Sequence, residues 1–137
     1  MTAAISGREP VIRTTPQLAD LNLNGHIFGG WILSQMDIAG GITAARRANG
    51  PVATVAIHAM KFHRPVHPGD LVSCYTDIVK VGRTSIHVHI EVCVSRREEP
   101  EEIMVTEGVF VFVAVDKQGR PRPVDPEHAG MESADRD

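Results

Sequence analysis

This sequence has few cysteines, few aromatic residues and no long hydrophobic run. Of its 137 residues, two are cysteines (Cys74 and Cys93) and 4 % are aromatic. Two cysteines without CxxC spacing are too few for a disulfide framework, a zinc motif or a redox motif, so we expect free thiols. No stretch approaches the roughly 18 apolar residues of a membrane span, and the N-terminus lacks the features of a signal peptide. We therefore expect a soluble, cytoplasmic protein.

An excess of positive charge is also missing. The formal net charge is −3 at pH 7, which disfavours nucleic acid as the main partner. The chain contains 42 % hydrophobic and 23 % charged residues, which is typical of a globular protein, and its length suits one domain. We place that domain at residues 9–116. Residues 1–8 and 117–137 are predicted to be mobile termini, because the second stretch has almost no apolar residues.

One long helix is predicted from Ile27 to Ala48, a segment without proline. Its apolar residues fall on every side of a helix, so we expect the helix to be covered on nearly all sides. The four glycines in this segment each cost about 1 kcal/mol relative to alanine in a helix interior. They require a reason such as close approach of the helix to a sheet.

After the helix, the pattern changes to the alternation typical of strands. The predicted strands are Val52–Phe62, Leu71–Val81, Ser85–Ser95 and Ile103–Val115, with a short first strand at Val11–Thr15. The last of the four long strands is apolar on both faces, which predicts a central position in the sheet or a subunit interface. The fold class is therefore α+β, with an antiparallel sheet curled around one helix.

Asp37 is the candidate catalytic residue that the helix pattern singles out. It lies about two and a half turns into a helix whose other positions predict burial. A buried carboxylate is costly, and enzymes use such groups as general bases or nucleophiles. In the alternative interpretation, Asp37 lies on a narrow solvent-exposed stripe or pairs with Arg46 or Arg47. Both interpretations fit the sequence.

A polar, glycine-rich segment, NLNGHIFGG at 22–30, leads into this helix. Helix N-termini expose unpaired amides and the positive end of the helix dipole, and glycine lets a ligand approach them. The amide of Gly29 or Gly30 can then form an oxyanion hole for a carbonyl oxygen. Alternatively, an asparagine caps the helix and the glycines serve packing alone.

Several motifs resemble, in one order along most of the chain, those of the YciA-like acyl-CoA thioesterases of the hotdog superfamily. These are NLNGHIFGGWILSQMD at 22–37, AMKFHRPV at 59–66, PGD at 68–70, GRTSI at 82–86, FVAVD at 112–116 and GR at 119–120. The resemblance implies a hotdog fold and hydrolysis of acyl-CoA to free acid and CoA. It also implies homodimers joined through the sheet, often hexamers as trimers of dimers, without a metal or redox cofactor.

The resemblance also implies roles for individual residues. Asp37 matches a helix carboxylate that acts as general base or nucleophile, and Gly29 matches the residue whose amide polarises the thioester carbonyl. Asn22 matches a pocket asparagine that holds water or the thioester. Thr54 lies near the place where some relatives supply a hydroxyl from the opposite subunit, and Gly30 adds a substrate-binding position. A carboxylate on the same helix as the amide would activate water or attack the carbonyl.

The phosphates of CoA require local positive charge, and four basic residues at strand ends and turns are candidates for binding them: Arg64, Lys80, Arg83 and Arg120. Arg64 follows a predicted strand, and Arg83, Thr84 and Ser85 form a predicted turn. Arginine suits phosphate, and the turn adds amides and hydroxyls. Each arginine taken alone is equally well explained as a solvated surface charge.

Histidines account for two departures from the family pattern and for one alternative site. His26 stands where many family members have Asp, and we expect either a secondary pocket group or a partly exposed histidine. His58 stands where the family often has an acid. His87, His89 and Glu91 alternate on one strand face and could hold a divalent metal, but a polar outer face predicts the same residues.

Two rival functions stay open at this point. A non-enzymatic hotdog domain would bind acyl-CoA as a sensor without turnover, although the presence of both Asp37 and the FGG segment argues against it. A hotdog hydratase or dehydratase would need a histidine and an acid aimed at the α and β carbons, and His26 keeps that possibility open. The sequence does not predict the preferred acyl chain length.

Overall fold

The structure, a computed structural model, describes residues 8–126. The elements are β1 (Ile12–Thr14), a 3₁₀ turn (Leu18–Asp20), α1 (Gly29–Ala48), β2 (Val52–Phe62), β3 (Leu71–Val81), β4 (Ser85–Ser95) and β5 (Ile103–Ala114). The predicted helix and strands are confirmed, with every boundary within two residues of its predicted position. The 3₁₀ turn was not predicted from the sequence.

The five strands form one antiparallel sheet in the order β1-β3-β4-β5-β2. Strand β5 lies inside the sheet between β4 and β2, which confirms the central position predicted from its two apolar faces. Strand β2 follows the helix in sequence but pairs with β5, for example Thr54 opposite Phe112. It therefore forms one edge of the sheet, and the segment after it leads to β3 on the far side.

The helix packs on one face of this sheet. Alternate residues of β4, from Ile86 to Val94, are fully buried in the core that the helix covers. A Cβ at Gly40 would lie 2.7 Å from Ile90 Cδ1 and 2.9 Å from the Phe112 ring. The close approach of helix to sheet that we expected as the reason for the glycines is confirmed at Gly40.

The predicted coverage of the helix on nearly all sides is wrong for a single chain. Ile38 and Ile42 on the outer side of α1 are 51 % and 38 % exposed. Most residues of the neighbouring edge strand β2 are exposed too, including Val55 and Ile57. One sheet covers one side of a helix, and the periodicity of apolar residues does not reveal whether the other side is covered by the same chain.

Both cysteines are buried, and neither forms a disulfide, as predicted. Cys74 pairs with Val92 across β3 and β4, whereas Cys93 pairs with Ser73. This one-residue offset directs the two thiols to opposite faces of the sheet. Burial is the main cause that raises the pKa of the Cys74 thiol to about 12, so this thiol is a poor nucleophile.

Part of the predicted C-terminal tail packs against the domain. Val124 is buried, and its N–H donates to the Arg83 carbonyl at 2.8 Å. Asp125 forms two hydrogen bonds with Arg47 on α1, at 2.7 and 3.0 Å. Residues 117–126 are therefore in contact with the body, and the domain limit at 116 stays a prediction. Residues 1–7 and 127–137 lie outside the described part of the chain.

Across residues 8–126 no helix combines the length and the apolar character that a membrane crossing requires.

Candidate active site

Asp37 lies on the solvent-facing side of α1, and the burial we predicted for it is wrong within one chain. Its Oδ1 accepts a hydrogen bond of 2.6 Å from Thr54 Oγ1 near the start of β2. Of the two interpretations of the sequence, the exposed position is the one found, although without pairing to Arg47, which binds Asp125 instead. The burial prediction failed because it assumed that the chain itself covers this side of the helix.

Asp37 and Thr54 share an open groove of about 420 Å³ between α1 and the start of β2. The other lining residues are small or apolar: Ile38, Gly41, Ile42, Ala45, Pro51, Val52 and Phe112. A carboxylate held by a hydroxyl thus stands in an otherwise apolar groove. This combination suits a substrate with an apolar chain and one polar reacting group.

The N-terminus of α1 is the second part of the site. The helix begins at Gly29 after Phe28, which has extended backbone angles (φ −72°, ψ 150°) and makes no side-chain cap. The interpretation of an asparagine cap is therefore wrong. Among residues 8–126, no hydrogen bond occupies the backbone N–H of Gly29 or Gly30. Both amides are available to an acceptor such as a carbonyl oxygen.

Asn22 organises the loop before the helix. Its Oδ1 accepts the backbone N–H groups of Asn24 at 2.8 Å and of His26 at 3.1 Å. Gly25, between them, has a φ of 78°, a conformation that favours glycine. The Asn22 oxygen thus fixes the conformation of the loop. In the same loop, the ring of His26 stacks on that of His67, with centroids 5.3 Å apart.

Two aromatic rings flank the open amides. A Cβ on Gly29 would lie 3.6 Å from the Phe62 ring, and one on Gly30 would lie 3.2 Å from the Phe28 ring. Phe62 and Phe28 are 54 % and 41 % exposed. Our sequence reasoning linked Phe62 to the depth of the acyl tunnel but did not place it beside the helix amides. Glycine at position 30 allows the Phe28 ring to approach the helix start this closely, whereas the Phe62 ring leaves room for a Cβ at position 29.

The carboxylate and the amides of one chain are too far apart to act on one carbonyl group. Asp37 follows Gly29 by eight positions, which corresponds to about 12 Å along a helix axis. An oxyanion donor lies about 3 Å from the oxygen that it stabilises. The expectation that both groups of one helix act together is therefore wrong for a single chain.

The candidate phosphate-binding residues do not form one cluster. The backbone N–H of Arg64 donates to Val105 near the start of β5, whereas the Thr84 carbonyl accepts from Ala114 at its end. The two regions are separated by nine residues of strand, roughly 30 Å. Thr84 and Ser85 are also buried, at 8 % and 9 % exposure, so the Arg83 side chain is the more accessible group of this turn.

The strand face with His87, His89 and Glu91 has other partners than a metal ion. His89 Nε2 contacts Glu107 Oε1 at 3.1 Å, and Glu91 Oε1 accepts from Arg8 at 3.1 Å. Within residues 8–126 no three His, Cys, Asp or Glu side chains are arranged to hold a metal ion. The polar outer face is therefore the interpretation that the contacts support.

Glu107 also joins the sheet face to the end of β2. Its Oε2 contacts His63 Nε2 at 2.9 Å. The hydrogen bonds with His63 and His89 are the largest causes that lower the pKa of the Glu107 carboxyl. His58, the second family departure, meets the ring of His87 edge-on at 6.2 Å. The sequence did not predict the cluster of Glu107, His63 and His89, because a single glutamate in an alternating strand is typical of any polar strand face.

Comparison with known proteins gives consistent matches. Residues 24–101 match the family model described as thioesterase superfamily. The acyl-CoA thioester hydrolase YciA of Salmonella typhimurium is 50 % identical over 119 residues, which are 85 % of this chain and 90 % of that protein.

Solved structures agree with these sequence matches. A hexameric broad specificity acyl-coenzyme A thioesterase superposes with a TM-score of 0.83 at 45 % identity, covering 92 % of this chain and 94 % of the other. A hexameric hotdog fold thioesterase of Campylobacter jejuni gives a TM-score of 0.83 at 36 % identity, covering 92 % and 97 %. The family model matches more than half of the chain, and relatives about 50 % identical match most of it. The fold, one long helix on an antiparallel sheet, agrees with both. The chain therefore belongs to the thioesterase superfamily, in its YciA-like hotdog group.

Proposed function

We propose that this protein is an acyl-CoA thioester hydrolase that converts acyl-CoA and water to a free acid and CoA. The observation that carries the proposal is the Asp37–Thr54 pair in an apolar groove beside a helix whose first amides are open. Relatives named as acyl-CoA thioester hydrolases, at 50 % identity over most of the chain, support the substrate class. Thiol release from acyl-CoAs of different lengths measures the preferred chain length.

The site is completed by a second copy of the chain. Strand β2 is a sheet edge, and Val55 and Ile57 on it are exposed. Antiparallel pairing of two β2 strands about a two-fold axis sets the start of one strand against the end of the other. Asp37 is bonded to Thr54 near the start, and Gly29 lies beside Phe62 at the end. Pairing therefore brings Asp37 towards Gly29 of the partner subunit.

The same pairing covers the apolar groups that a single chain leaves exposed, so a homodimer is the smallest active unit in this proposal. Structural relatives described as hexameric support assembly of such dimers into a trimer of dimers. The hydrophobic driving force for pairing comes from the outer side of α1 and from β2.

The reaction follows from the charges that develop on the thioester. The Gly29 amide, with Gly30 beside it, donates to the carbonyl oxygen as it becomes negative. Asp37 either removes a proton from the attacking water or attacks the carbonyl carbon itself, forming an anhydride that water then cleaves. Thr54 holds Oδ1 of that carboxylate, which leaves Oδ2 for water or substrate. In both routes the C–S bond breaks and CoA leaves as a thiolate that takes up a proton.

The remaining site residues have supporting roles in the proposal. Asn22 and His26 shape the loop beside the amides. The side chain of Arg64 from one subunit and that of Arg83 from the other, which the antiparallel β2 pairing brings to one end, bind phosphates of CoA. Thr84 and Ser85 contribute through the turn that presents Arg83. Water and a carboxylate suffice for thioester hydrolysis, so we propose no metal or redox cofactor. A cytoplasmic location remains a prediction.

The test is release of free thiol from acyl-CoAs of increasing length, from acetyl to palmitoyl. The parent protein is compared with Asp37→Asn and with Asp77→Asn, a control aspartate on β3 that pairs with Arg8 away from the groove. We expect turnover by the parent and the control, and a loss of kcat on the order of 1,000-fold in a folded Asp37→Asn.

Other outcomes identify the rivals. Binding of acyl-CoA by the parent without thiol release would support the sensor function. Loss of enoyl absorbance from an enoyl-CoA added to the panel, without thiol release, would support a hydratase or dehydratase. The second rival depends on pairing of His26 with an acid, whereas the ring that contacts His26 is that of His67.

A further inference from the structure

We propose that the ion pair between buried Asp70 and half-buried Arg96 is a positioning device that holds the first amides of α1 in place for the reaction, an inference that rests on the proposed function. The Asp70 side chain is 4 % exposed and that of Arg96 is 14 % exposed. Arg96 Nε lies 3.0 Å from Oδ1 and 3.2 Å from Oδ2 of Asp70. Neither side chain lines the groove that contains Asp37.

The ion pair fixes the loop at residues 65–70. Arg96 Nη2 donates to the Pro65 carbonyl at 2.8 Å. The other end of the loop is closed by Asp70, whose Oδ2 accepts the His67 N–H at 2.8 Å and whose own N–H donates to the His67 carbonyl at 3.1 Å. Thr15 Oγ1 also donates to the Asp70 carbonyl at 3.0 Å. The loop is thus held from both ends by one charged pair.

The loop in turn holds the start of the helix. The Ile27 N–H donates to the carbonyl of Val66, in the middle of the loop, at 2.9 Å. Val66 is fully buried and Ile27 is 4 % exposed, so both ends of this bond are enclosed by the core. Stacking of His26 on His67 adds a second contact between the same two segments. Ile27 is two residues from Gly29, the first residue of the helix.

This arrangement matters because no side chain caps the helix start. A second backbone bond that holds it runs from the Phe28 N–H to the Asp20 carbonyl, at 3.0 Å. Oxyanion donors must be placed within a fraction of an ångström, and a shift of 1 Å costs about 100-fold in rate. The Asp70–Arg96 ion pair keeps the helix start rigid without occupying the amides themselves.

The chain offers a matched control at the other end of the same helix. Arg47 on α1 makes two hydrogen bonds to Asp125, at 2.7 and 3.0 Å. The variants Arg96→Gln and Arg47→Gln each remove one arginine–aspartate pair, but only the first touches the loop at 65–70. Their comparison separates an effect on the helix start from a general loss of stability.

Three quantities are measured on the full chain of the parent and both variants: thermal unfolding, kcat and KM for a good acyl-CoA, and hydrogen exchange of a peptide spanning 21–33. For Arg96→Gln we expect kcat to fall between 10-fold and 100-fold. KM should stay within about 3-fold, and exchange at 27–31 should be faster. Arg47→Gln should leave kcat and this exchange unchanged, although it lowers the melting temperature.

A third variant keeps the test decisive if Arg96→Gln does not fold. Arg96→Lys keeps the charge beside Asp70 but lacks the planar fork that also reaches the Pro65 carbonyl. We expect it to fold with a kcat between those of the parent and Arg96→Gln. Full kcat in Arg96→Lys together with parent-like exchange at 27–31 would overturn the proposal.

The proposal is also overturned if Arg96→Gln and Arg47→Gln reduce kcat equally, in proportion to their unfolded fractions. Failure of the proposed function looks different, because the parent itself would then release no thiol. The exchange comparison does not depend on activity. Faster exchange in Arg96→Gln alone would support the positioning role even then, and unchanged exchange would refute it.

Discussion

The two ends of helix α1 are built in opposite ways. At the C-terminal end, Asn49 adopts the left-handed conformation (φ 56°, ψ 46°), and the Gly50 N–H donates to the Ala45 carbonyl at 3.1 Å. Arg122 reaches back from beyond β5 to donate to the Ala48 carbonyl at 2.9 Å. Two arginines in the last turn, Arg46 and Arg47, complement the negative end of the helix dipole.

The N-terminal end has none of these features within residues 8–126. No acidic side chain lies in the first turn and no side chain caps it. Two exposed aromatic rings, of Phe28 and Phe62, flank glycine amides that have no partner. The C-terminal end thus has hydrogen-bond donors on the carbonyls of Ala45, Arg46 and Ala48. The end that we propose to bind a carbonyl oxygen leaves its donors open.

Among changes at the two ends of the helix, the largest expected effect comes from Gly29→Pro, which removes the N–H of the first helical residue. Proline is tolerated at this position because its fixed φ suits the helix, and Phe28 already has the extended angles that precede a proline. We expect a folded protein with kcat reduced about 100-fold to 1,000-fold. The measurement is kcat alongside a circular-dichroism melt.

Gly29→Ala is the control for that variant, because it keeps the amide and places its Cβ 3.6 Å from the Phe62 ring, an ordinary contact. Its kcat should stay close to that of the parent. Normal turnover by a folded Gly29→Pro would remove the amide from the mechanism.

A smaller effect is expected at the closed end, from Arg122→Gln. This change removes guanidinium bonds to the carbonyls of Ala48 and Val115. We expect a loss of about 1–3 kcal/mol in the free energy of unfolding, because carbonyls lose a charged donor, with kcat unchanged. Denaturant unfolding measures it, with the exposed Arg120→Gln as control. A large fall in kcat in Arg122→Gln would show that the C-terminal end of the helix also affects catalysis.

Asn49→Ala tests the left-handed residue that ends the helix. Alanine in this conformation costs about 1 kcal/mol, whereas Asn49→Gly should be nearly neutral because glycine adopts it freely. The two variants are compared by denaturant unfolding. Equal stability of both would mean that the helix end relaxes to another conformation.

The smallest effect is expected from the pH dependence of the Glu107 cluster, near Phe62 and the open end. The hydrogen bonds with His63 and His89 lower the pKa of the Glu107 carboxyl from its ordinary value of 4.5. The resulting stabilisation is present above that value and is lost as the pH falls through the lower pKa of the folded protein. We expect Glu107→Gln to flatten the dependence of melting temperature on pH below about 4.5. An unchanged acid limb would contradict this role.

Local patterns predicted most of the elements. The strict alternation from Ile86 to Val94 gave β4 its limits, and Asn49-Gly50-Pro51 marked the end of the helix. The resemblance pointed to Asp37 and Gly29 as site residues. Their separation along one helix was also available from residue numbers alone, and the sequence interpretation nevertheless treated them as partners on one carbonyl.

The sequence by itself determined the helix, the four long strands and the family to which the chain belongs, because these depend on local periodicity and on ordered motifs. Only the tertiary structure placed β2 at the sheet edge, left Asp37 exposed against Thr54 and joined Asp70 to Arg96. These features depend on contacts between residues distant in the sequence, and side-chain periodicity carries no information about which strand or subunit lies opposite. The open groove at Asp37 is the direct result, because an edge strand and an uncovered helix face form it. In the proposed function a second copy of the chain covers both.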